Sequence, residues 1–139
     1  MMTQTRPTEL HQRRILMTRK PAAAAEARGQ VRAVIRAWRI PVDPDIAVLL
    51  TSDLVTHAIV HWDSATITLA ARCSCDQLRV DVYDTSLPLP MAVDEQVVRQ
   101  APPGLALVAS LSAEWGSFLT FTGKAMYFAL AFEADWFQL

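Results

Sequence analysis

Asp53, His57 and His61 stand four residues apart in the apolar stretch LLTSDLVTHAIVHW, residues 49–62. A helix stacks residues at this spacing on one face. A carboxylate or an imidazole in an apolar stripe is costly unless something pairs with it. Two imidazoles one turn apart suit zinc, with Asp53 a turn earlier, but such a site needs a further ligand. The structural alternative has His57 bonded to Asp53 and His61 capping the C-terminus of the helix. A second carboxylate, Asp84, ends the alternating run LRVDVYD on the same parity as Leu78, Val80 and Val82. It is an acid closing a core-facing row. Its alternative role is to bond its own backbone in the turn "DTS". Cys73 and Cys75 are too close for an unstrained disulfide. They have no second cysteine pair with which to bind a metal, and read as a hairpin end with two thiols.

Several elements must position these groups. Residues 1–20 show no apolar period and are expected to form a flexible basic arm. The stretch PAAAAEARGQVRAVIRAW then predicts a helix, with Val31, Val34, Ile35 and Trp38 on one stripe and Arg28, Arg32, Arg36 and Arg39 flanking it. Asp43-Pro44 starts a second helix as N-cap and first helical residue. That helix runs to about Trp62 and is apolar on most sides, which predicts a central, buried element. TITLAAR and LRVDVYD alternate with period two and make a hairpin around CSCDQ. Residues 85–103 carry four prolines and predict a long loop. A third helix is expected over GLALVASLSAEW, and a last hairpin over GSFLTFT, Gly123-Lys124 and AMYFALAF. The fold class expected is α+β: a two-layer sandwich in which a mostly antiparallel sheet is covered on one face by three helices. It forms one domain over residues 21–139.

Composition agrees with a folded domain. Of the 139 residues, 52% are hydrophobic and 19% charged, which excludes a disordered chain. No apolar run reaches the ~18 residues of a membrane span, and the polar, Arg-rich N-terminus lacks a secretory core, so a cytoplasmic location is expected. Net charge is −1, unevenly spread. Residues 1–39 hold nine of the thirteen basic residues and two acids, Glu9 and Glu26. Such a region could touch nucleic acid or an acidic partner, or be a solvated surface. The Arg stripe lacks interleaved aromatics, which favours the solvated or partner-facing reading.

Four boxes, LLTSDLVTHAIVHW, LRVDVYDTSLPLP, GLALVASLSAEWG and GKAMYFAL, resemble in order and spacing the bacterial anti-sigma-factor serine/threonine kinases. Those kinases belong to the histidine-kinase/gyrase-type (Bergerat-fold) ATPases, and the resemblance covers roughly residues 22–132. It implies ATP with magnesium as cofactor. It puts Asp53 where the family has a catalytic Glu, and His57 where the family has the Asn that ligates magnesium. It puts Asp84 where an Asp bonds the adenine amino group, Gly104 and Leu105 at the nucleotide-binding start of the third helix, and Lys124 in the Gly-Lys of the final hairpin.

The departures bear on chemistry. Asp is a methylene shorter than Glu, and a displacement of about 1 Å in a reacting group can cost on the order of a hundredfold in rate. Magnesium prefers oxygen ligands to imidazole. Pro102 and Pro103 remove N–H groups beside Gly104, and no glycine lies between Asp84 and Gly104 to let the backbone approach phosphates. The expectation is therefore a regulatory protein with weakened or lost ATP binding. It would act by binding a sigma factor or a STAS-type anti-sigma-factor antagonist, with a homodimer implied by the family. The alternatives are an active ATP-dependent serine/threonine protein kinase of the same fold, and a nucleic-acid-binding regulator using the basic N-terminal region.

Overall fold

The computed structural model describes residues 11–84, 92–98, 105–120 and 123–133, with the backbone alone for residues 92–98. Its elements are β1 (His11–Thr18), α1 (Ala22–Trp38), α2 (Pro44–His61), β2 (Thr66–Cys73), β3 (Gln77–Tyr83), β4 (Ala92–Val98), α3 (Ala106–Leu111), β5 (Glu114–Thr120) and β6 (Lys124–Ala131). The strands form one six-stranded sheet in the order β1-β2-β3-β6-β5-β4. Every neighbouring pair is antiparallel.

The main core lies between the sheet and the helices. Ile67 and Leu69 of β2, Leu78, Val80 and Val82 of β3, and Met126, Phe128 and Leu130 of β6 point into it. They meet Val31 and Ile35 of α1, Leu50, Leu54, Val55 and Ala58 of α2, and Val108 of α3. The alternation read in β2 and β3 thus sends the apolar set to the helices, as period-two patterning requires. The helix α2 begins as expected: the Asp43 carboxylate accepts from the Asp45 N–H at 2.9 Å, and Pro44 follows it. Arg28 donates to Ser52 Oγ at 3.1 Å, and Arg32 lies 3.6 Å from Asp45, so two arginines of the predicted stripe bridge α1 to α2.

The structure corrects three expectations. The basic arm is, over His11–Thr18, an edge strand paired with β2 through all eight residues. Met17 is buried, Ile15 packs on the core, and the His11 ring stacks on Trp38 at the end of α1, with centroids 4.9 Å apart. The inward row is short and begins with His11 and Arg13, which hides it in the sequence. Within the expected loop 85–103, Ala92–Val98 is a strand on the other sheet edge, with irregular register against β5. The third helix stops at Leu111, because Glu114 and Trp115 already pair with Ala129 and Phe128 in the sheet.

The second face of the sheet has its own network. Asp81 points away from the helices and is fully buried. It accepts from Arg72 and Arg79, each at 2.7 Å, and from the Tyr83 hydroxyl at 2.9 Å. Burial, then Asp81, pushes the Tyr83 phenol up. The Arg79 guanidinium lies 3.9 Å from the centre of the Tyr127 ring, a cation–π contact. Arg72 and Arg79 are direct cross-strand partners, and such like charges oppose pairing. One carboxylate between them turns that conflict into a clamp on register.

Candidate functional site

The ends of α2 and β3 and the start of β6 meet at one place, and Asp84 is its best-held residue. The Asp84 N–H donates to the Lys124 carbonyl at 2.8 Å, extending the β3–β6 ladder by a step. Gly123 lies so close that a Cβ there would come within 2.6 Å of the Asp84 carbonyl oxygen. The glycine is needed for close backbone approach. On the other side Ser64 Oγ hydrogen-bonds Asp84 Oδ1, and lies 2.8 Å from the Thr66 carbonyl.

Ser64 is held in turn. Arg19, in the connection from β1 to α1, donates Nε to the Ser64 carbonyl and Nη1 to the Ile59 carbonyl at 2.6 Å. The guanidinium on the Ile59 carbonyl, in the last turn of α2, satisfies an orphan acceptor and complements the negative end of the helix dipole. This cap comes from Arg19, where the sequence had offered His61.

His57 and His61 face each other, with ring centroids 4.5 Å apart and a tilt of 40°. Burial, then His61, then Lys124 lowers the His57 pKa. Lys124 of β6 therefore comes near the α2 face, and His57 pairs with His61 and not with Asp53. Asp53 is half-buried, burial raises its pKa, and its carboxylate has no hydrogen-bond partner among the described residues. Leu105 is buried in the main core with Val108, so its side chain serves packing. Gly104, Pro102 and Pro103 lie outside the described residues.

The donor set does not fit magnesium. At the position expected to hold the metal, the structure offers two imidazoles and a nearby lysine, where an octahedral oxygen shell is required. Among the described residues no group of three or more His, Cys, Asp or Glu could hold a metal ion, and none of them joins the His57–His61 pair as the third ligand that zinc needs. Among them, too, no helix is long and apolar enough to cross a membrane.

The sequence reading missed Arg19 and Ser64. Each bonds a residue at least twenty positions away, so no local pattern marks it. The one local cue is that Ser64 lies in HWDSA, the segment that ends α2. No protein-family model matches this chain, and no curated protein matches it.

Proposed function

We propose that this chain is a Bergerat-type, anti-sigma-factor-like regulatory domain of the cytoplasm. It controls transcription by binding a protein partner, a sigma factor or a STAS-type antagonist, and keeps an adenine-directed acid without metal-dependent phosphotransfer. One observation carries the reading. A carboxylate at the end of β3, Asp84, is fixed through its backbone and its side chain, while the neighbouring α2 face carries an imidazole pair near a lysine. The first arrangement suits recognition of an amino group. The second opposes a divalent cation, and Asp53 on the same helix has, among the described residues, no partner to orient it as a base.

Calorimetric titration with ATP and ADP tests this, with and without magnesium, alongside transfer of radiolabelled phosphate from ATP to a serine-bearing STAS-type protein. The expected result is nucleotide binding that magnesium does not strengthen, and no transfer above background. Transfer that is lost in Asp53→Asn would establish an active kinase and overturn the proposal.

A further inference from the structure

We infer that Arg72 and Arg79, side by side on the sheet face turned away from the helices, form a binding site for a phosphate monoester. The site lies across the sheet from the α2 face and does not rest on the nucleotide reading.

Direct cross-strand partners hold their Cβ atoms about 5 Å apart, and Arg72 and Arg79 are such partners. Each gives one N–H to the buried Asp81, Arg72 from Nη2 and Arg79 from Nε, both at 2.7 Å. One guanidinium would neutralise that carboxylate. The second leaves a positive charge uncompensated between the strands. Arg14, in register with Asp81 across β2, adds to it. A further acid on this face, Glu114, accepts from the Tyr127 hydroxyl at 3.0 Å.

A guanidinium has five N–H donors, and these two give one bond each. Among the described residues neither makes another hydrogen bond, and Nε of Arg72 is buried without any partner. The ion triad alone therefore leaves donors unused, which polar groups held in a fold rarely do.

The unused donors are positioned in advance. Asp81 anchors both side chains, and the Tyr127 ring, 3.9 Å from the Arg79 guanidinium carbon, sets the plane of one fork. Nη1 and Nη2 of Arg79 remain together as an open pair, with Nη1 of Arg72 on the neighbouring strand. The two side chains are 28% and 29% exposed, so a ligand can reach them.

Shape then selects the ligand. A carboxylate has two oxygens and is satisfied by one fork. A phosphate monoester has three terminal oxygens and up to two negative charges, enough to meet both guanidiniums at once. Its charge also relieves the opposition of Arg72 and Arg79. Free phosphate and a phosphorylated side chain offer the same group.

The test follows backbone and arginine Nε–H signals of the 15N-labelled full chain by NMR. Inorganic phosphate, N-acetyl-phosphoserine and acetate are titrated at constant ionic strength. Both phosphates are expected to move the signals of Arg72, Arg79 and Asp81 saturably, and acetate to bind about tenfold more weakly, the size of one lost hydrogen bond to a charged group. Tighter binding of N-acetyl-phosphoserine than of inorganic phosphate would identify a phosphorylated side chain as the ligand, and equal binding would identify free phosphate. Arg79→Lys keeps the charge and loses the fork, so it should weaken phosphate by a similar factor, with circular dichroism checking that it is folded. If that variant does not fold, the wild-type titrations decide. Absence of saturable shifts, shifts centred on His57 and Lys124 in place of Arg72 and Arg79, acetate binding as tightly as phosphate, or a folded Arg79→Lys with unchanged affinity overturns the inference.

Discussion

A Cβ on Gly123 would lie 2.6 Å from the carbonyl oxygen of Asp84. The obstacle is backbone, so relief requires the β3–β6 ladder to shift. Gly123→Ala should cost about 1–3 kcal/mol, measured by urea unfolding. Gly29→Ala is the control. It lies inside α1 with nothing within 4 Å of its Cβ position, so it should stabilise by roughly 0.5–1 kcal/mol. Equal effects at the two positions would contradict the geometry.

Asp81 should be the most sensitive polar position in the fold. Removing it leaves Arg72 and Arg79 opposed across adjacent strands, each with less than a third of its side chain exposed. Breaking a buried pair from one side typically costs about 3–5 kcal/mol, so Asp81→Ala should lower the denaturant midpoint by a corresponding amount. A loss below about 1 kcal/mol would mean that the clamp behaves as a surface ion pair.

Two groups of the α2 face should give opposite pH signatures. Burial, His61 and Lys124 hold the His57 pKa below its ordinary 6.5. The unfolded chain then takes up its proton first as pH falls. This contribution to stability is complete above about pH 6.5, is lost as pH falls through 6.5 toward the folded value, and changes no further below that. Burial raises Asp53 above 3.8. Here the folded chain binds the proton more tightly, so stability declines as pH rises from about 3.8 through the raised value. Thermal melts across pH 3–8 should show His57→Gln removing the slope just below pH 6.5. Asp53→Asn should raise the midpoint at pH 7 and leave it unchanged near pH 3. A lower midpoint for Asp53→Asn at pH 7 would show that the carboxylate has a stabilising partner.

His57→Asn separates the metal defect from the rest of the site. Asn offers a carbonyl oxygen where an imidazole now lies against His61. One restored contact to a charged centre is worth roughly 1.5–3 kcal/mol, or about ten- to a hundredfold in nucleotide affinity. Calorimetry should show the gain only when magnesium is present. A gain without magnesium would mean that the imidazole obstructs by size.

Much of this architecture was legible residue by residue. Asp43-Pro44 marked the start of α2, because capping chemistry is local. The parity of Leu78, Val80 and Val82 marked the row that Asp84 continues, because strand alternation is strict. The edges were hidden for physical reasons. β1 opens with polar residues on both faces, since an edge strand needs few apolar contacts. β4 sits in a Pro-rich stretch and pairs irregularly with β5, so its residues follow no clean period. Around the site, the acid was visible and its supports were not. Arg19 and Ser64 act through bonds between distant positions, which spacing alone does not encode.

The place of β6 has a kinetic consequence. It follows every other strand in the sequence yet lies between β3 and β5. Until residues 124–131 are in place, β1-β2-β3 and β4-β5 are separate ribbons with no ladder joining them. The α1–α2 pair and the β2–β3 hairpin can form from local contacts, but the centre of the sheet closes through partners as distant as Leu78 and Leu130. Such high contact order slows folding. The docking of β6 on β3 also brings Gly123 and Lys124 against Asp84.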